Sequence, residues 1–256
     1  MSHIARIPQT GRSMDSLDDL PAANRLIVAL DVPTVEDALR AVDALPNVSF
    51  FKIGYQLFMT GGLPRLLELL RQKQIFLDLK VPGDIANTIA AVVELCATAG
   101  VRFLTLSESM PMPAIRVARD TRNARHSTTP KLLMVPFLSS LDTTDLHEIT
   151  GEQDLETYIL RRAHRAIENG CDGIIASGEA IGICRRAFAH PVIIVSPGIR
   201  PAGASANDHK RFTSPAKAIQ LGADYLVVGR PILSAPSPRE AADRIIEEMN
   251  GALHSR

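Results

Sequence analysis

Three charged residues, Asp78, Lys80 and Asp84, interrupt the otherwise apolar stretch IFLDLKVPGDIANTI between Ile75 and Ile89. Two more, Asp31 in LIVALD and Lys52 in FFKIG, stand at the ends of other apolar runs. Asp78 and Lys80 are two positions apart, so on a strand their side chains leave the same face. Buried charges are tolerated chiefly when paired, and alternating lysines and aspartates meet that condition. Charges placed in this way read as the working parts of an active site. Each residue alone also has a plain structural reading. Asp84 precedes a helical pattern, and by itself it reads first as a helix N-cap. Asp31 fits a turn before Pro33, and Lys52 fits a strand end with its ammonium in solvent. The joint pattern points to function.

A second chemistry-bearing region is VSPGIRPAGASANDHKRF, Val195 to Phe212, followed by VVGRPI from Val227 to Ile232. Pro197, Gly198 and Gly229 allow backbone to approach a ligand closely, and Arg230 can hold two oxygens of a phosphate. GRP alone could be a turn before the last helix. The length of the first loop also makes it a lid candidate.

The elements that must position these groups are short apolar runs alternating with helical patterns. Strands are predicted in RLIVALD, VSFFKIG, IFLDLK, VRFLTLS, KLLMVPFLSS, DGIIAS, VIIVS and DYLVVG. Helical spacing recurs in PTVEDALRAVDAL, LPRLLELLRQK and DIANTIAAVVELCATAG, and at residues 113–122, 155–169, 178–188, 214–221 and 238–249. Gly100, Gly170 and Gly222 each fall between a helix and the next strand, where a left-handed residue ends a helix. Strands apolar on both faces, each followed by a crossover helix, imply a parallel sheet. Eight such units in 256 residues predict a single α/β (β/α)8 TIM barrel over residues 23–256. A doubly wound open sheet is the alternative. Residues 1–22, rich in Pro, Gly, Ser and Asp, read as a poorly ordered N-terminal extension. In a barrel the site lies at the C-terminal strand ends, and the loops after strands seven and eight commonly hold phosphate.

Composition limits the partners. Lys plus Arg equals Asp plus Glu at 28 each, which gives no global field for nucleic acid. Cys96, Cys171 and Cys184 lack paired spacing, which argues against disulfides or a zinc site and for a reducing, cytoplasmic setting. No apolar run approaches a membrane span, and no apolar leader pattern opens the chain.

With both regions in view, the chain resembles the orotidine 5'-phosphate decarboxylase family from about Arg25 to the last helix. IVALDVP, FFKIGYQLF, FLDLK, DIANT, SPGIRPAG and YLVVGRPI occur in the family's order. The resemblance implies a cofactor-free and metal-free homodimer of barrels that converts orotidine 5'-phosphate to uridine 5'-phosphate in pyrimidine biosynthesis. It implies that Asp31 and Lys52 contact the ribose hydroxyls, Asp78 sits beside the substrate carboxylate and Lys80 protonates C6. Asp84 and Thr88 are implied to reach the neighbouring subunit's site, Ser140 to read the pyrimidine and Arg230 to hold the phosphate. His209 stands where the family pattern has a glutamine between phosphate and pyrimidine, and Ser107 where many members have histidine. Three residues separate Lys80 from Asp84 where the pattern has two, and a turn or bulge in Val81–Gly83 is expected to absorb the extra one. A sugar-phosphate lyase or aldolase of the same superfamily, and a silent nucleotide-phosphate binder, are the alternative functions.

Overall fold

The computed structural model describes residues 17, 20–82, 86–188, 191–201 and 212–255. The apolar runs form β1 (Leu26–Ala29), β2 (Phe50–Gly54), β3 (Gln74–Val81), β4 (Phe103–Leu106), β5 (Lys131–Met134), β6 (Gly173–Ile175), β7 (Ile193–Ser196) and β8 (Tyr225–Val228). Neighbouring strands pair in parallel in sequence order, and β8 returns to pair with β1 through Ile27 and Val227. That closure makes the sheet a (β/α)8 barrel and excludes the open alternative.

The helices in chain order are α1 (Ala22–Arg25), α2 (Val35–Asp43), α3 (Tyr55–Met59), α4 (Leu63–Leu69), α5 (Ala86–Thr98), α6 (Met112–Ala124), α7 (Thr143–Thr150), α8 (Leu155–Glu168), α9 (Ala180–Ala187), α10 (Pro215–Leu221), α11 (Arg230–Leu233) and α12 (Pro238–His254). Four of them, α1, α3, α7 and α11, go beyond the sequence expectation. Helices of four or five residues, as in α1, α3 and α11, are too short for a 3.6-residue period to register. The longer α7 does carry local signals: Asp142 and Asp145 form a reciprocal capping box, and Gly151 ends it at φ 77°. Arg25 closes α1, so the first strand starts one residue later than expected. The helix-ending role of Gly100, Gly170 and Gly222 holds, at φ values of 71°, 111° and 110°.

Side-chain parity divides the core in two. Leu26 and Val28 of β1 join the layer between sheet and helices, with Phe51, Leu77, Leu104, Leu132, Ile194 and Leu226 from other strands. Their alternates, including Ile27, Ala29, Phe50, Phe76, Phe103, Leu133, Val195 and Tyr225, form a separate cluster that fills the barrel. Within it Phe103 stacks edge-on to Tyr225 at 5.0 Å between ring centroids.

The N-terminal end of the barrel is fastened by two similar ionic brackets. Arg122 of α6 pairs with Asp172, just before β6, whose Oδ2 accepts the Leu132 N–H of β5 at 2.8 Å. Arg185 of α9 likewise pairs with Asp224, just before β8, at 2.6 Å, and Asp224 accepts the Ile194 N–H of β7 at 2.7 Å. Of the expected extension, Leu17 and Leu20 pack against the inner cluster. The buried Arg25 donates to the carbonyl oxygens of both, to Leu20 at 2.7 Å.

Candidate active site

At the opposite end, the inward positions of β2 and β3 change from apolar to charged. Lys52 follows Phe50 on one face of β2, and Asp78 follows Phe76 on β3. Lys52 Nζ lies 2.9 Å from Asp31 Oδ1 and 3.6 Å from Asp78 Oδ2. Lys80 Nζ lies 3.1 Å from Asp78 Oδ1. The four side chains form one alternating chain of charge: Asp31, Lys52, Asp78, Lys80. Burial pushes the Asp78 carboxyl up, but the Lys52 and Lys80 ammonium groups, with hydrogen bonds from Lys80 and Thr105, hold it below the usual carboxylate range. Burial pulls Lys52 down, and Asp78 and Asp31 more than offset it, leaving Lys52 above the ordinary lysine value. Both groups are therefore charged at neutral pH.

The strand carrying Asp78 and Lys80 is not regular. Leu77 pairs with Leu104 and Val81 with Leu106, so four steps along β3 match two along β4. Two extra residues preserve side-chain parity: Leu79 packs in the outer layer, and Asp78 and Lys80 both face the cavity. Lys80 takes a left-handed backbone, at φ 43°. Thr105 of β4 faces this bulge, its hydroxyl accepting the Lys80 N–H at 2.9 Å and donating to Asp78 Oδ1 at 2.9 Å. The register shift thus lies ahead of Val81; the turn that the sequence reading places in Val81–Gly83, to absorb the residue extra to the family pattern, is a separate expectation. Residues 83–85 of that reading lie outside the described residues.

Gly54 is a second feature that the residue pattern does not announce. A Cβ there would meet Asp31 Oδ1 and Lys52 Nζ at 3.3 Å each, so the bare backbone leaves room for the ion pair.

The charged chain opens on a cavity of about 510 Å³, a size suited to a nucleotide. Ala29, Phe76 and Val227, from the inner cluster, line it together with Asp31, Lys52, Asp78 and Lys80. Ser139, Ser140, Pro197, Gly198, Arg200, Gly229 and Arg230 complete the wall, so the loops after β5, β7 and β8 converge here. The loop after β7 is held at its base, where Arg200 N–H donates to Thr213 O at 2.9 Å and Thr213 N–H to Gly198 O at 3.2 Å. Gly198 makes that turn at φ 75°.

Most of the sequence-derived site residues meet at this cavity: Asp31, Lys52, Asp78, Lys80, Ser140, Pro197, Gly198, Gly229 and Arg230. Thr88 does not; it is exposed in the first turn of α5. Ser107 is buried and does not line the cavity, its hydroxyl bonded to Ser109 Oγ at 2.9 Å. Asp84 and His209 lie outside the described residues. Arg200, inside the SPGIRPAG motif and buried in the cavity wall, was missed, although its motif was the signal. Thr105 was also missed and left no sequence signal beyond a polar residue in an apolar strand.

A cavity at the C-terminal mouth of a (β/α)8 barrel, floored by paired lysines and aspartates and walled by two arginines, defines an anion-binding enzyme barrel. The chain belongs to the orotidine 5'-phosphate decarboxylase / HUMPS family, whose model matches residues 24–245. A relative from Rhodopseudomonas palustris, named orotidine 5'-phosphate decarboxylase, is 43% identical over 239 residues, covering 93% of this chain and 98% of the relative. One from Gloeothece citriformis with the same name is 39% identical over 229 residues, covering 88% and 97%. The crystal structure of orotidine 5'-phosphate decarboxylase from Lactobacillus acidophilus superposes with a TM-score of 0.77 at 31% identity, covering 89% of this chain and 99% of that one.

Proposed function

We propose that this chain removes carbon dioxide from orotidine 5'-phosphate to give uridine 5'-phosphate in pyrimidine biosynthesis, with Lys80 as the proton donor. The observation that carries this reading is the Asp31, Lys52, Asp78, Lys80 chain of charge at the floor of a cavity walled by Arg230. Breaking the bond between C6 and its carboxylate releases carbon dioxide and leaves the electron pair on C6. The Lys80 ammonium stabilises that charge by position and then gives C6 its proton, and solvent returns a proton to the lysine. Asp78 orients Lys80 and stands where a substrate carboxylate would be crowded by like charge, and Lys52 keeps Asp78 ionised. Asp31 and Lys52 address the ribose, Ser140 the pyrimidine, and Gly198, Gly229 and Arg230 the phosphate. Remote phosphate binding then contributes to the rate at the reacting carbon.

The reading extends to a homodimer in which Asp84, Thr88 and their neighbours complete the partner's site. Thr88 is exposed and absent from the lining of its own chain's cavity, which leaves it available to a second copy. The exposed Tyr55, Phe58, Met59 and Leu95 supply apolar surface for such a contact. The free thiols of the buried Cys96 and Cys171 support a cytoplasmic setting. Among the described residues no helix is long and apolar enough to cross a membrane.

The test follows the ultraviolet absorbance of orotidine 5'-phosphate with chelator present. Turnover that persists under chelation is expected. Absence of turnover, or chelator-sensitive turnover of a sugar phosphate instead, would overturn the reading.

A further inference from the structure

Thr105 is 1% exposed and points from β4 into the bulge of β3. Its hydroxyl is the meeting point of two constraints. A backbone N–H can only donate, so toward Lys80 N the hydroxyl oxygen must accept. Its single hydrogen is then free to go to Asp78 Oδ1, which also receives the Lys80 ammonium at 3.1 Å. One side chain thereby fixes both the backbone of Lys80, held at φ 43°, and the carboxylate that aims the Lys80 ammonium. Lysine rarely adopts that backbone, and a bulge of this kind persists only where its surroundings over-determine it. Packing alone would be served by valine at this buried position, yet valine would leave both bonds unmade.

We infer that Thr105 is a positioning residue for the reaction: it locks the β3 bulge and the Asp78–Lys80 pair in the geometry from which Lys80 acts. The inference rests on the decarboxylase reading of the site. Thr105 does not line the cavity, so its effect on turnover passes through Asp78 and Lys80 and not through substrate contact. A small displacement of a proton donor is costly to rate and nearly silent in binding, because the phosphate contacts lie on other loops.

Thr105→Val keeps the side-chain shape and removes both hydrogen bonds. Its kcat for orotidine 5'-phosphate is expected to fall roughly tenfold to a hundredfold, with KM and uridine 5'-phosphate affinity within about twofold of wild type. Thr105→Ser, which restores the hydroxyl, is expected to recover kcat to within about threefold. Should Thr105→Val not fold, Thr105→Ala removes the same hydroxyl, and a loss of roughly threefold to tenfold is expected, smaller because a water can make part of the lost bonds. A folded Val or Ala variant with wild-type kcat overturns the positioning role. So does a loss shared equally by affinity and by the serine variant, which marks a merely structural residue. A wild-type chain with no turnover overturns the decarboxylase reading and this one with it, which separates the two failures.

Discussion

Lys52 Nζ lies 3.6 Å from Asp78 Oδ2, with side-chain exposures of only 11% and 16%. Neither charge could stay there alone, since an ion left unpaired in such a site loses its hydration without replacement. The pair therefore has a pH signature. Asp78 is held below its ordinary 3.8, so its contribution to stability is present above about pH 4 and is lost as pH falls through the lowered value. Lys52 is held above its ordinary 10.5, so its contribution is complete below that and is lost as pH rises through the raised value. Asp78→Asn is expected to cost roughly 2–4 kcal/mol at neutral pH. Thermal melts across pH should show the gap between wild type and variant narrowing below about pH 4. A gap of constant size down to about pH 3 would remove Asp78 from the paired state.

Lys80→Ala takes away the proposed proton donor and the cation together. We expect kcat to drop by roughly 10⁴-fold or more, while uridine 5'-phosphate affinity stays within about tenfold of wild type. Single-turnover measurements with titration calorimetry separate the two quantities. Near-normal kcat in this variant would reassign the donor.

Arg230→Ala tests the proposed phosphate contact in the cavity wall. Losing a charge-assisted pair of hydrogen bonds should raise KM roughly tenfold to a hundredfold, with a smaller effect on kcat. A substrate lacking the phosphate should show little difference between variant and wild type. Unchanged KM for the full substrate would place the phosphate elsewhere.

Asp84 and Lys80 offer a test of the shared site. Lys80→Ala and Asp84→Ala chains, each folded and inactive alone, should regain up to about a quarter of wild-type activity when mixed and allowed to exchange, because half of the dimers are mixed and each holds one intact site. No recovery after exchange has been verified by native mass spectrometry would show that each chain builds its own site.

The barrel and the chain of charge were both legible in the sequence, for a common reason. Continuous apolar strands and helix-ending glycines are local signals, and a lysine or aspartate inside such a strand stands out against them. The bulge in β3 was not legible. Its two extra residues leave the in–out alternation of Leu77, Asp78, Leu79, Lys80 and Val81 intact, so no pattern of residue types registers it. Thr105 and Gly54 were silent for a different reason. Each matters through a neighbour on another strand or loop, a hydroxyl against Asp78 in one case and an absent Cβ beside Asp31 in the other. Such meanings appear only once the sheet has closed.

The two brackets, Arg122 with Asp172 and Arg185 with Asp224, lie at the end of the barrel away from the cavity. Each ties the helix before one strand to the start of the next, across 50 and 39 residues of sequence. Strand order and closure are thus secured by groups that do not line the cavity. The mouth is correspondingly free to drift: loops after β5, β7 and β8 can exchange residues, and with them substrate preference, while the foundation keeps the strands in place. For directed evolution, libraries confined to the mouth should retain folded members at high frequency, and substitutions at Asp172 or Asp224 should be purged whatever activity is selected.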